Sequence, residues 1–289
     1  MNNYVIMTDS GCDLSTADLS EWGIRCIDLT FKKDDDPSVY TVGSIPVSAF
    51  YEEMKNGTVF RTSAINPSAY EESFEAELKK GLDIIYVSLS SGLSATVNMA
   101  ELSAKELSEK YPERKIEVFD SKCGSGGQGL LLYHAAVKKN SGADFSELSS
   151  YIRKTAPSIS HWFTVDDLKY LKRGGRVSTA AAITATVLDI KPVLNLDDDG
   201  HITVTAKVRG RKKAIHALAE KYLTFSVDPD NCGYMISHGA CPEDALELER
   251  LIEQKTGHRA LMITDIGPVI GSHSGPGTLA LFFIGKQRG

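Results

Sequence analysis

Nowhere in this 289-residue chain is there a run of roughly 18 apolar residues, the length needed to cross a bilayer. Met1-Asn-Asn-Tyr4 lacks the charged and apolar regions of a secretory signal, so the expectation is a cytoplasmic protein with no stable membrane insertion. Cysteine is sparse: Cys12, Cys26, Cys123, Cys232 and Cys241 are scattered, odd in number and never spaced CxxC. That pattern implies reduced thiols, with neither a zinc site nor a disulfide framework. Cys123 follows a strand, but the sequence sets no base beside it to make it a nucleophile. Positive charge is also short, and a net charge of −6 argues against a nucleic-acid groove and a nucleic-acid partner. GxxxxGK[ST] does not occur, and the absence of this phosphate loop argues against autonomous kinase activity.

What the chain does have is an ordinary globular composition, 42% hydrophobic and 24% charged, and length enough for two domains or one large one. Its organising stretch is Ile84 to Asn98. Five of the six residues from Ile84 to Leu89 are apolar or aromatic, as in a parallel strand covered on both faces. Ser91-Gly92 makes a turn, and Ala95, Val97, Met99, Ala100 and Leu102 continue as a packed helix with Ser91 or Ser94 as its N-cap. The free amides of such a helix start, beside serine hydroxyls, suit an anion; the same serines would equally serve as plain caps.

The same unit of strand, hydroxyl-bearing loop and helix recurs. Tyr4 to Met7 runs into Thr8-Asp-Ser10, with Asp9 and Ser10 as cleft or turn residues and Asp13 as the cap of a helix from Ser15 to Trp22. Ile24 to Phe31 reads as one strand with Tyr40 to Ile45 as a hairpin arm, and helices follow at Pro46 to Asn56 and Ser68 to Gly81. Thr62 and Ser63 lie between them without an evident structural duty. Ile116 to Phe119 leads through the glycine-rich 123–129 stretch, a close-approach turn, into a helix at Leu130 to Lys139. Repetition of this kind implies a largely parallel sheet with right-handed crossovers, and a helix at Phe145 to Thr155 closes the first domain.

In the second half, Ser160 to Val165 is a strand, and Asp166 to Arg176 is amphipathic, with Lys169, Lys172, Arg173 and Arg176 offered to solvent around Gly174-Gly175. Ser178 to Asp189 reads as a helix of small residues, against which a neighbouring helix or a slender ligand could lie. Strands at Lys191 to Leu196 and Ile202 to Ala206 flank a turn, and Arg209 and Arg211 open a helix reaching Tyr222. Strands at 234–238, 261–266 and the final apolar stretch complete the pattern, with a helix at Glu243 to Thr256. Local basic clusters on an acidic chain suggest a docking surface for an acidic partner or a phosphate. His273, set among glycines, serines and prolines, suits ligand or proton handling better than a core position.

Thr8-Asp-Ser10, Thr62-Ser63, Ser90-Ser-Gly-Leu-Ser94, Asp120-Ser121, Leu171-Lys-Arg-Gly-Gly-Arg176, Lys191-Pro-Val-Leu194 and Gly271-Ser-His-Ser-Gly-Pro-Gly277 occur in the order seen in the DegV family, which the whole chain resembles. The resemblance implies two α/β domains, here residues 1–158 with the carboxylate-binding loops and 159–289 with the acyl-tunnel helix and basic docking turns. A long-chain fatty acid, palmitate-like or octadecenoate-like, would lie between them, with no cofactor. It further implies a non-catalytic subunit in phospholipid metabolism that offers the carboxylate to a separate ATP-dependent fatty-acid kinase subunit. Matched residue by residue, Thr62, Ser94 and His273 would hold the carboxylate, Ser63 and Ser91 would support it, and Arg173 and Arg209 would meet the kinase subunit. The chain departs from the family's usual pattern at Ala64-Ile-Asn66 and at Ala95-Thr-Val97, which bears on the preferred acyl chain more than on the carboxylate site. The competing reading is a serine hydrolase acting on a lipid or acyl substrate with Ser94 and His273. The serines are not bracketed as in G-x-S-x-G, which favours the binding protein.

Overall fold

The structure, a computed structural model, describes residues 3–177, 189–286 and 288. The helix expected over 178–189 falls outside these residues except for Asp189. In chain order the first elements are β1 (Tyr4–Asp9), α1 (Thr16–Glu21), β2 (Ile24–Ile27), β3 (Thr30–Lys33), β4 (Tyr40–Thr41), α2 (Val47–Lys55), β5 (Phe60–Ser63) and α3 (Pro67–Leu78). They continue with β6 (Asp83–Ser88), α4 (Thr96–Lys110), β7 (Ile116–Asp120), α5 (Gly126–Asn140), α6 (Phe145–Thr155) and β8 (Ile159–Thr164). Next come α7 (Lys169–Arg173), β9 (Ile190–Leu196), β10 (Ile202–Arg209) and α8 (Arg211–Phe225). The last are β11 (Tyr234–His238), α9 (Pro242–Thr256), β12 (Met262–Asp265), α10 (Pro268–Ser274) and β13 (Leu279–Ile284).

The fold is mixed α/β, and its first half carries the expected parallel sheet, in the order β2-β1-β6-β7. β6 reads as a continuous apolar run because both of its faces are covered. Ile84 and Tyr86 enter one core cluster, while Ile85 and Val87, on the opposite face, enter another. β8 onward builds a six-stranded sheet, β10-β9-β8-β13-β11-β12, antiparallel except where β11 meets β12. The strand expected over Ile24 to Phe31 is two strands. β2 stays in the parallel sheet, whereas β3 joins β4 and β5 in a small antiparallel sheet. Buried Leu29, whose N–H donates to Ser10 Oγ at 2.9 Å, fixes the chain between them.

α5 is the layer shared by the two large sheets. Leu130, Leu131 and Leu132 are fully buried in a cluster that contains Ile6 and Ile85 of the parallel sheet as well as Phe163 and Phe282 of the other. The glycine-rich stretch is a short turn through Ser125 that continues as the first turn of this helix, Gly126 to Gly129, so the helix starts four residues before Leu130. A Cβ at Gly127 would stand 2.1 Å from His161 Nε2, and one at Gly126 would stand 2.6 Å from Ser237 Oγ. Glycine is therefore what lets helix and sheet approach. α1 is capped by Ser15 in a capping box with Asp18, so Asp13 is not its cap. His273 is also placed differently from expectation. It lies on α10, which Pro268 opens and Gly275 closes, with no looped histidine in the glycine-serine run. Among the described residues, no helix is long and apolar enough to cross a membrane.

Replacing Gly127 with Ala forces the added methyl into the His161 ring. The expected cost is about 2 kcal/mol of folding stability, the scale of overpacking a rigid core. Denaturant titration checks this, and a midpoint equal to the parent's would refute the close-approach argument.

Candidate functional site

The site begins where β6 ends. Leu89 leads into the serine joint, where Ser90, Ser91 and Ser94 have different surroundings. Ser90 is buried, donates to Gly200 O at 3.1 Å and accepts from Gly92 N, tying the joint to the turn between β9 and β10. A Cβ on Gly92 would lie 2.5 Å from Gly200 O, so this glycine serves the same junction. Ser91 is exposed: its N–H donates to Asp120 Oδ1 and its Oγ accepts from Lys122 Nζ at 2.7 Å. Ser94 is half-buried and bonds Thr96 Oγ1 at 2.7 Å. The formal cap of α4 is Ala95, while Ser94 Oγ accepts from Thr96 N at 3.3 Å.

Ser94 borders a cavity of about 270 Å³, whereas Ser91 does not line it. Leu29, Leu93, Leu171, Leu196, Val269 and Phe282 are among its walls, drawn from both halves of the chain. Thr62, Ser63 and His273 line it too, so the structure brings four of the five expected ligand-site residues around one space. Thr62 Oγ1 and His273 Nε2 are 2.7 Å apart, joining β5 to α10 across the chain. His273 Nδ1 is buried with no hydrogen-bond partner among the described residues. A Cβ at Gly174 would stand 2.3 Å from that nitrogen, so the α7 turn packs on the ring only because residue 174 is glycine.

Burial first, then the fields of Arg176 and Arg173, hold the His273 pKa down to about 4. The imidazole is thus neutral near pH 7, able to act as donor or acceptor. A second histidine, His161, also borders the cavity but has a structural occupation. Gly124 N donates to its Nε2 and Nδ1 lies 3.1 Å from Ile159 O, and burial pushes its pKa to about 3. Among the described residues no cluster of three or more His, Cys, Asp or Glu could hold a metal.

Arg176 departs from the solvent-facing position that the amphipathic pattern predicts. It is half-buried, donates Nε to Leu93 O at 3.0 Å and Nη1 to Gly174 O, and lines the cavity. Its reach to the serine joint spans 83 residues, for which local patterning has no signal. Arg173 is exposed, with its guanidinium 5.2 Å from the centre of the Tyr170 ring. It lines a smaller outer pocket together with Thr62 and His273. Arg209 is exposed at the end of β10 and lines neither pocket.

α10 is held from its start. Gly267 N donates to Asp13 Oδ1 at 2.9 Å, and Ser125 Oγ donates to Asp13 Oδ2 at 2.6 Å, so one carboxylate joins the entries of α10 and α5. Burial, with Asp265 adding to it, raises the Asp13 pKa to about 7 against the two hydrogen bonds. Tyr51 OH donates to Ile266 O, a second tie at the same end.

A family model described as "Uncharacterised protein, DegV family" matches residues 3–286. A DegV domain-containing protein of Clostridium perfringens (strain 13 / Type A) is 38% identical over 289 residues, covering 100% of this chain and 99% of the relative. Among solved structures, a "fat acid (stearic acid)-binding protein" from Eubacterium ventriosum ATCC 27560 superposes with a TM-score of 0.87 at 26% identity, over 98% of each chain. The DegV protein of Bacillus subtilis, described as a fatty acid binding protein, gives a TM-score of 0.83 at 26% identity, over 99% of this chain and 100% of that one.

Asp13 generates a pH prediction. Its folded pKa lies above the ordinary carboxylate value, so between about pH 4 and 7 the folded state binds more protons than the unfolded one, and this group's contribution to stability falls as pH rises. Asp13→Asn keeps an oxygen for Gly267 N without the charge. The variant should therefore gain about 1 to 2 kcal/mol over the parent at pH 8 and little at pH 5. Thermal midpoints across that range decide it; a gain independent of pH would be evidence against a titrating Asp13.

Proposed function

Because this chain belongs to the DegV family, we propose that it binds one long-chain fatty acid between an N-terminal lobe, residues 1–158, and a C-terminal lobe, residues 159–289. It does no chemistry of its own and presents the carboxylate to a separate ATP-dependent kinase subunit. There a carboxylate oxygen bonds to the γ-phosphorus of ATP, ADP leaves, and an acyl phosphate results. The observation carrying the reading is a largely apolar cavity lined also by Thr62, Ser94 and His273, with Thr62 and His273 in direct contact. An acyl chain there gains about 0.8 kcal/mol for each methylene removed from water. Thr62 and Ser94 have hydroxyls to donate to the carboxylate, and a neutral His273 adds a donor without burying an uncompensated charge. Ser63 borders the same space and supports the mouth. Ser91, turned to Lys122 and Asp120, supports it at most through the loop backbone.

The hydrolase alternative needs Ser94 beside a base. Ser94 bonds Thr96 and His273 bonds Thr62, an arrangement that favours holding a ligand over activating a nucleophile. The kinase-facing step rests on Arg173, exposed beside the Thr62–His273 pair, and on Arg209, exposed at the end of β10. With the absence of a GxxxxGK[ST] loop, this makes a partner the source of the phosphoryl group.

Protein purified from a bacterial host should carry a non-covalent fatty acid, released by organic extraction and detected by native mass spectrometry. Ligand-free protein whose melting temperature ignores added palmitate would remove the reading. Thr62→Ala, Ser94→Ala and His273→Ala should each cost about 1 to 3 kcal/mol in palmitate affinity, since each leaves a partly buried carboxylate short of a donor. Three variants that all bind like the parent would move the mouth elsewhere.

Arg173→Ala and Arg209→Ala should retain palmitate binding but slow acyl-phosphate formation with a cognate kinase subunit and ATP, the more so at raised salt. Loss of palmitate binding in these variants would put the arginines in the ligand site and end the docking argument.

A further inference from the structure

Thr62 and His273 border two spaces. On one side is the apolar cavity; on the other is a pocket of about 150 Å³ lined by Arg61, Arg173 and Arg176. A carboxylate held by two hydroxyls and an imidazole does not call for three guanidinium groups beyond it. Arg61 is gripped by Asp34 through two hydrogen bonds of 2.5 and 2.9 Å, and Asp34 is also held in its charged form by Arg173. Three arginines against this one carboxylate leave the pocket with a positive excess. Arg173 makes no ion pair among the described residues. Arg176, fixed to Leu93 O and Gly174 O, lines both spaces and couples them. Guanidinium forks match the tetrahedral oxygens of a phosphoryl group, whose charge exceeds that of the carboxylate it would extend.

We propose that this outer pocket is a subsite for the phosphoryl end of an acyl phosphate, whose chain remains in the apolar cavity while its carbonyl passes between Thr62 and His273. The inference rests on the fatty-acid reading above and adds a second compartment to it. Arg173 holds the phosphoryl oxygens, Arg176 spans the junction, and Asp34 competes for the arginines and limits the strength of the grip.

The test needs no kinase. Palmitate and a non-hydrolysable palmitoyl phosphate mimic, with a methylene in place of the bridging oxygen, are titrated against the parent, Arg173→Ala and Asp34→Asn by displacement of a fluorescent fatty acid. Arg173→Ala should weaken the mimic about tenfold and change palmitate less than about twofold. Asp34→Asn, which removes the negative charge that holds Arg61 and lies in the field of Arg173, should tighten the mimic and leave palmitate alone. The inference is overturned if the mimic and palmitate respond alike, or if the mimic binds the parent no better than the methyl ketone lacking its phosphonate. Millimolar inorganic phosphate added to palmitate-loaded protein should not reproduce an Arg173-dependent effect; if it does, the pocket takes free anions and the tethered subsite is wrong. Palmitate binding without mimic binding sinks this inference alone, while failure to bind either ligand sinks it together with the fatty-acid reading.

Discussion

Asp9 is the group on which the site's geometry depends. Its carboxylate is fully buried at the end of β1 and accepts from Leu89 N at 2.8 Å, Gly11 N at 3.0 Å, Tyr86 OH at 3.0 Å and Gln128 Nε2 at 3.3 Å, with Ser88 Oγ at 3.4 Å. Burial raises its pKa despite these donors, so the group is costly to place and pinned once placed. Four pieces of chain meet there: the turn after β1, the β6 strand, the start of the serine joint and helix α5. Because Leu89 and Ser94 belong to one short loop, fixing Leu89 N sets where the hydroxyl of Ser94 can stand.

The cavity exists because the same region cannot close completely. Gly126 and Gly127 bring α5 against the six-stranded sheet, and Gly92 brings the serine joint against the β9–β10 turn. Between these close approaches the walls are largely aliphatic and aromatic side chains. α10 caps the space from the C-terminal part of the chain yet places Val269 in the core cluster of the parallel sheet, so the two halves share the wall.

The electrostatics of the mouth follow from that enclosure. Burial first, and then two nearby arginines, suppress the charged form of the imidazole, leaving His273 neutral while the positive charge sits in the outer pocket. An arrangement with the charge beyond the neutral donors suits a ligand that is apolar over most of its length and anionic at one end.

The sequence by itself determined most of the order of elements and the parallel sheet of the first half, because strand and helix periods are local and the β6 run is apolar on both faces; the split of Ile24 to Phe31, the strand β5 and the helix α10 were not legible. It also drew attention to the hydroxyls of Thr62, Ser63, Ser91 and Ser94 and to a histidine, His273, in a glycine-serine run, while grouping them as one site took the resemblance to the DegV family. Tertiary structure alone decided the rest. Ser91 and Ser94 are three residues apart in one loop, and only packing turns one to Lys122 and the other to the cavity. Asp13 looks like a helix cap in sequence but binds Gly267, 254 residues away. Arg176 looks like a solvated charge and instead reaches the serine joint. Such long-range hydrogen bonds depend on where two distant backbones happen to lie, and residue spacing along the chain holds no trace of that.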